Sequence, residues 1–170
     1  AELKNKGYTD IFEYDLGTKE SLLEKYTKEC EFVFHLAGVN RPKDEHEFME
    51  GNFGFTSVLL DLLKKNNNKA PVLITSSVQA EKENPYGISK KAGEDLLFAY
   101  SKETEAKVLV YRLPNLFGKW SRPNYNTVVA TFCYNIARGI EIQISNPDAD
   151  LDLCYIDDVL DEFIRALENM

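Results

Sequence analysis

Short apolar runs alternate along the chain with longer stretches in which apolar residues recur every three or four positions. Ile11–Tyr14, Phe32–Ala37, Val72–Ser77 and Val108–Leu113 are β-branched or aromatic and bounded by polar or turn residues. Three of them carry consecutive rather than alternating apolar residues, the pattern of central parallel strands covered on both faces. Helical spacing predicts helices near Lys19–Lys28, Glu45–Lys65, Ile88–Lys102 and Thr127–Arg138. Ile140–Ile144 and Leu151–Ile156 alternate and read as edge strands. Asp157-Asp158 then caps a final helix running towards Asn169, its acidic start favourable to the helix dipole. Strand–helix alternation of this kind specifies an α/β fold built on a doubly wound parallel sheet. Asn66-Asn67-Asn68 is the one low-complexity spot and reads as a helix-ending turn.

In open α/β sheets ligands bind beyond the carboxyl ends of the strands. The residues there are Gly38-Val39-Asn40-Arg41-Pro42, Ser76-Ser77 and Pro114-Asn115-Leu116-Phe117-Gly118, rich in small and hydrogen-bonding residues. Near them Pro85 and Gly87 mark a helix start, which puts Tyr86 and Lys90 one turn apart on one face. A phenol has a pKa of about 10, and a neighbouring ammonium favours the phenolate. That pair suits acid–base work, although a packed Tyr beside a solvated Lys gives the same spacing. Ser76 and Ser77 end a strand, where a hydroxyl either holds a substrate oxygen or satisfies loose backbone. On a helical wheel Glu50, Gly54, Ser57, Asp61 and Lys64 form a polar stripe, and Asn52 falls opposite among Phe48, Phe55, Leu59 and Leu63. A buried amide without a partner costs about 1–3 kcal/mol, so Asn52 requires a specific one.

Composition narrows the function. The 170 residues suit one domain with a proper core, and Lys+Arg 20 against Asp+Glu 28 gives a net charge of −8. That balance argues against nucleic acid or an anionic membrane as the partner. No run approaches the roughly 18 apolar residues of a transmembrane helix, and the first residues lack a signal-peptide pattern. Cys30, Cys133 and Cys154 read as reduced core thiols of a cytoplasmic protein, with no metal site.

Six blocks in order carry a resemblance. They are His35-Leu36-Ala37-Gly38, Asn52 with Gly54-Phe55-Thr56, Thr75-Ser76-Ser77, Tyr86-Gly87-Ile88-Ser89-Lys90, Arg112 to Gly118, and Tyr155-Ile156-Asp157-Asp158-Val159. Together they resemble the extended short-chain dehydrogenase/reductase family of NAD(P)-dependent nucleotide-sugar epimerases, dehydratases and reductases. His35–Pro42, Asn84–Lys90 and Pro114–Arg138 look most like the reductase half of bacterial capsular-polysaccharide enzymes, which act on a UDP-linked 4-keto-6-deoxy-N-acetylhexosamine. Those enzymes join this half to a C-terminal cupin domain, and the resemblance implies a homodimer.

The resemblance implies a Rossmann-like domain over residues 1–170, with small substrate-binding elements within 115–156. Tyr86 would protonate the sugar oxygen, and Lys90 would lower its pKa and hold the nicotinamide ribose. Ser77 would bind the reacting oxygen, with Ser76 as the alternative register, and Asn52 would support a proton relay. Leu36, Ala37 and Gly38 would line NAD or NADP, with Leu113 and Pro114 at the nicotinamide. Asn115, Asn40 and Arg122 would approach the nucleotide-diphosphate sugar. Asp15 is a cofactor-ribose ligand, an adenine-side residue of the following strand, or a cap of the next helix.

The chain departs from the family pattern in two places. No Gly-rich G-x-G-x-x-G or G-x-x-G-x-x-G turn is present to hold a pyrophosphate at a helix N-terminus. The expectation is a fold truncated at its N-terminus, lacking its first strand. Asp148, Asp150 and Asp152 also stand where a basic diphosphate ligand is common, leaving Arg122 as the substitute. The readings left open are reduction, epimerisation or dehydration by an enzyme of which this is the catalytic half, and a non-catalytic derivative that no longer binds dinucleotide.

Overall fold

The computed structural model describes all 170 residues, Ala1–Met170. The chain divides into two compact units, Leu3–Arg112 and Leu113–Met170, with Ala1 grouped with the first and Glu2 with the second.

The first unit carries α1 (Glu2–Asn5), α2 (Glu20–Glu29), β1 (Val33–His35), α3 (His46–Met49), a π-turn (Glu50–Gly54) and α4 (Phe55–Lys65). β2 (Val72–Ser77), a 3₁₀ turn (Val78–Glu81), α5 (Pro85–Thr104) and β3 (Val108–Leu113) follow. The sheet order is β1-β2-β3, so the most completely buried strand is central. β1 and β2 are parallel, with Val33, Phe34 and His35 opposite Val72, Leu73 and Ile74. Five of the six β2 residues are buried, as a strand covered on both faces should be. Leu23 of α2, Leu59, Leu60 and Leu63 of α4, Leu97 and Tyr100 of α5, and Val72 and Ile74 of β2 form the core. This is the expected Rossmann-like α/β arrangement.

Ile11–Tyr14 forms no strand. A strand needs a ladder partner, and these residues instead stack their aromatic rings on rings of α2 and α4. Phe12 stacks on Tyr26 with centroids 4.7 Å apart, and Tyr14 stacks on Phe55 at 5.8 Å. The predicted single helix Glu45–Lys65 is interrupted by the π-turn, which inserts a residue and shifts the wheel register.

The triple asparagine does more than end α4. Asn67 takes the left-handed conformation (φ 49°) that lets the chain reverse. Asn66 donates to Thr27 Oγ1 (3.0 Å), and Asn68 donates to the carbonyls of Thr27 (3.0 Å) and Cys30 (2.8 Å). The end of α4 is thereby clamped to the end of α2.

The second unit holds β4 (Asn115–Phe117), α6 (Val128–Ile136), β5 (Leu153–Tyr155) and α7 (Ile156–Glu168). β4 and β5 are parallel, pairing Asn115 with Leu153 and Phe117 with Tyr155. Residues 115–117, expected as a ligand loop, are therefore a strand in part. Ile140–Ile144 is not an edge strand. Gly139 (φ 64°) turns the chain back and Ile140 N–H closes on the Asn135 carbonyl, capping α6. Asp157 and Asp158 lie inside the first turn of α7 rather than at its cap, which Tyr155 occupies. Gly118 (φ 130°) follows β4, and a Cβ there would fall 2.7 Å from Tyr155 and Ile156. No helix is long and apolar enough to cross a membrane. Cys133 is exposed on α6, which buries no residue, so it is not a core thiol; Cys30 and Cys154 are half-buried.

Two substitutions test this packing. Leu63→Ala, at a fully buried position, should cost about 2–5 kcal/mol in urea unfolding. Asn68→Ala strands two carbonyls and should cost about 1–3 kcal/mol. A loss within error of zero for Asn68→Ala would remove the clamp from this account.

Candidate active site

The first unit brings four elements together: the loop after β1, the π-turn, the C-terminal end of β2, and the start of α5. Asn52, in the π-turn, is the element common to them. It is 4% exposed, buried as the wheel requires. Its Oδ1 accepts from Val39 N–H at 2.9 Å, and its Nδ2 donates to the Val39 carbonyl at 3.0 Å and to Ser89 Oγ at 2.9 Å. Both amide hydrogens and one lone pair of the oxygen are thus used. Its backbone carbonyl accepts from the Thr56 hydroxyl at 2.6 Å. Because Thr56 donates there, its oxygen accepts from His35 Nε2 at 2.8 Å, which places the imidazole proton on Nε2. His35 is buried and its pKa is pushed down to about 4, by desolvation first and by the Lys90 charge second. A neutral imidazole at the end of β1 therefore ties that strand to the π-turn.

Small residues set the spacing. A Cβ on Gly38 would stand 2.7 Å from Asn52 Oδ1 and 2.9 Å from Lys90 Nζ. A Cβ on Gly51 would meet Val39 Cγ2 at 2.3 Å, and one on Gly87 the carbonyls of Gln79 (2.2 Å) and Lys82 (2.5 Å). The loop after β1 packs on the π-turn, and the start of α5 on the 3₁₀ turn, at distances that leave no room for those atoms.

α5 starts at Asn84, whose side chain caps Gly87 N–H at 2.8 Å, with Pro85 at the first helical position. This holds Tyr86 in the first turn, half-buried, its ring against Phe48 at 5.6 Å. The Tyr86 pKa is raised by burial, with hydrogen bonding to Ser77 drawing it part of the way back. Lys90 Nζ donates to the Thr75 carbonyl at 3.1 Å and lies 5.9 Å from the Tyr86 ring centroid. The Tyr86 pKa therefore lies above its ordinary value, with burial as the main cause and Ser77 rather than Lys90 as the opposing one. Burial also lowers the Lys90 pKa, offset by the Glu94 charge.

The two serines divide their work. Ser77 Oγ accepts from Gln79 N–H at 3.1 Å and interacts with Tyr86. Ser76 Oγ donates to Glu94 Oε1 at 2.6 Å. Glu94, 1% exposed, is gripped by Arg112, with Nε to Oε1 at 2.9 Å and Nη2 to Oε2 at 2.6 Å. Arg112 also reaches Glu81 at 2.7 Å. Burial raises the Glu94 pKa, and Arg112 and Ser76 more than offset it, leaving a net lowering. Ser89, Phe48, Thr56, His35 and this Glu94–Arg112 pair were not singled out for these roles by sequence reasoning. A lone Arg in the apolar run 108–113 and a Glu four residues past Lys90 were the signals available for the pair.

Leu36, Ala37, Gly38 and Asn40 line the exposed loop after β1. Asp15 is exposed and closes its own turn, its Oδ1 accepting from Leu16 N–H at 2.7 Å while Thr18 N–H reaches its carbonyl. It caps no helix, since the α2 cap position is Lys19. Leu113, Pro114, Asn115 and Arg122 belong to the second unit. Asn115 is exposed at the start of β4, its backbone N–H on the Asp152 carbonyl at 3.1 Å, and Arg122 is exposed in the loop after Gly118.

A parallel sheet whose strand ends carry a hydroxyl, a Tyr–Lys helix turn and a glycine-bearing loop defines a class of dinucleotide-dependent proteins. The chain belongs to the NAD dependent epimerase/dehydratase family, whose model matches residues 1–170. It is 44% identical over 169 residues to the UDP-2-acetamido-2,6-beta-L-arabino-hexul-4-ose reductase of Pseudomonas aeruginosa, covering 99% of this chain and 45% of that protein. It resembles the crystal structure of the capsular polysaccharide assembling protein CapF from Staphylococcus aureus with a TM-score of 0.84 and 48% identity, over 98% of this chain and 46% of that one. At 24% identity the UDP-glucuronic acid 4-epimerase of Bacillus cereus, in complex with NAD, shares the fold, with a TM-score of 0.78 over 93% of this chain and 55% of that one. The chain spans about half the length of the relatives it matches.

His35 yields a pH prediction. Its folded pKa of about 4 lies below the ordinary 6.5, so the unfolded state binds more protons between those values and stability falls as pH drops through that window. Chemical denaturation should show a loss of about 3 kcal/mol from pH 7 to pH 4, and His35→Gln should flatten that slope. A wild-type slope unchanged in the variant would remove His35 as its source.

Proposed function

We propose that this chain is the catalytic half of an NAD(P)H-dependent reductase that converts the 4-keto group of a UDP-linked 6-deoxy-N-acetylhexosamine to a hydroxyl for surface polysaccharide synthesis. The observation that carries this is Tyr86: half-buried beside Ser77, it stays protonated at neutral pH and is ready to give a proton rather than take one. The name of the Pseudomonas relative, a 4-ulose reductase, supports the direction and the substrate.

The residues present fit the cofactor class of the family. The exposed loop Leu36-Ala37-Gly38 offers backbone at a strand end, and the missing Cβ of Gly38 lets Asn52 Oδ1 and Lys90 Nζ pack directly against it. Lys90 beside it suits a ribose diol, while Asp15, Leu113 and Pro114 are the further contacts we assign. A reduced nicotinamide supplies the hydride. Ser77 and Tyr86 hold the substrate carbonyl oxygen between their hydroxyls. As hydride reaches the carbonyl carbon and the C=O π bond opens, the Tyr86 O–H bond breaks and its proton passes to the nascent alkoxide. Ser77 donates to the resulting phenolate and Lys90 offsets its charge, until solvent restores the proton. Asn52 braces the site through its amide, and its backbone carbonyl, which keeps a second acceptor lone pair, is the group we assign to support of the proton relay. Asn115, Asn40 and Arg122 are the residues we assign to the sugar diphosphate.

The same reading places the protein in the cytoplasm as a homodimer, with residues 1–170 forming one dinucleotide-binding domain and 115–156 its substrate elements. A cupin domain in the longer protein is part of the same proposal, and the resemblance to the capsular subgroup supports it.

In the full-length protein Tyr86→Phe should cut turnover of a UDP-4-keto-6-deoxy sugar by about 10²–10⁴-fold, with NADH affinity in calorimetry essentially unchanged. Near-normal turnover would falsify the proton-donor assignment.

A further inference from the structure

Ser89 has no accessible surface. It lies in the first turns of α5, where helix ends fray most readily. Its hydroxyl is held at both ends: Oγ accepts from Asn52 Nδ2 at 2.9 Å and donates to the Tyr86 carbonyl at 2.7 Å. A serine bonding back to the carbonyl three residues earlier is ordinary in a helix and by itself fixes nothing outside it. Here the hydroxyl is also anchored to Asn52, whose remaining amide groups are both spent on Val39. The result is an unbroken chain from the Val39 backbone through Asn52 and Ser89 to the carbonyl of the residue that bears the phenol.

We propose that Ser89 is a positioning residue for Tyr86, fixing the first turn of α5 against the loop after β1 so that the phenol is held at the distance and angle that proton transfer requires. This rests on the reading of Tyr86 as the proton donor. Ser89 touches neither the reacting atoms nor the cofactor loop directly, and acts on each through one intermediary. Loss of its hydroxyl leaves the Asn52 amide hydrogen and one lobe of the Tyr86 carbonyl unpaired at a buried position, and the helix start relaxes to recover them. Displacements well under 1 Å at a proton donor are costly: misplacement of about 1 Å accounts for losses near 10²-fold.

The test is a double-mutant cycle in the full-length protein with a UDP-4-keto-6-deoxy sugar and NADH. Ser89→Ala should lower kcat by about 10–100-fold and leave KM nearly unchanged. In a Tyr86→Phe background the same substitution should leave the residual turnover unaltered, because Ser89 then has no proton donor to position. Ser89→Cys, nearly isosteric with a weaker donor, should give an intermediate loss and serves if the alanine variant is insoluble. Equal losses from Ser89→Ala in both backgrounds, or wild-type kcat in both Ser89 variants, overturn the proposal. A second readout is independent of activity: the ring ¹³Cζ resonance of Tyr86, identified by its disappearance in Tyr86→Phe, should shift in Ser89→Ala. If Tyr86→Phe keeps full turnover, the proton-donor reading fails on its own, and an unshifted Tyr86 resonance then separately excludes the positioning role.

Discussion

Asn52 is the point on which the first unit turns. Its side-chain amide is buried and makes three hydrogen bonds, two to the backbone of Val39 and one to Ser89. Those bonds unite the loop after β1, the helical segment from His46 to Lys65 and the start of α5, none of which shares a backbone ladder with the other two. An amide can do this only if the backbone delivers it at the right height, and the π-turn provides that by inserting one residue into the helix. The insertion disturbs the regular ladder around Asn52, and the carbonyl there is taken by the Thr56 hydroxyl, which His35 supports in turn. A single irregular turn thus needs two further polar side chains to remain satisfied, and all three are buried.

Charge is arranged by the same economy of burial. Glu94 is almost without exposed surface, yet Arg112 takes both its oxygens and Ser76 donates to one of them. A carboxylate paired so completely is tolerated in a low-dielectric site, and breaking such a pair costs about 3–5 kcal/mol because the survivor is stranded. Its remaining field falls on Lys90, four residues earlier on α5, and opposes the desolvation that would neutralise the ammonium. Adjacent serines on one strand therefore serve different ends: Ser76 faces the ion pair, while Ser77 serves the phenol.

The regular elements were legible because hydrophobic periodicity reports burial. Val72–Ser77 is a strand with the expected bounds, α5 covers the predicted Ile88–Lys102, and Asn52 is buried where the wheel placed it. Even the need of Asn52 for a partner could be read from the cost of leaving its amide unpaired, but which partners it finds could not. The π-turn leaves no mark in the apolar pattern, since one inserted residue looks like noise on a wheel. Ile11–Tyr14 has strand composition, but its aromatic rings found α2 and α4 rather than a neighbouring strand. Asn115–Phe117 escaped notice because three residues are too few to show a period. Ser89 was hidden for a different reason: a small hydroxyl in a helix reads the same whether it faces water or braces two elements.

Amide hydrogen exchange at Val39 tests the central claim most directly, because the N–H of Val39 is bonded to the Asn52 side chain. In the wild-type chain that amide should be protected nearly as well as the amides of α4, although it lies in a loop. In Asn52→Ala it should exchange at least about 100-fold faster, a loss of roughly 2.7 kcal/mol in local protection, while Leu60 and Leu63 stay protected. Val39 protection that survives the substitution, or that falls only in step with the whole of α4, would contradict the account.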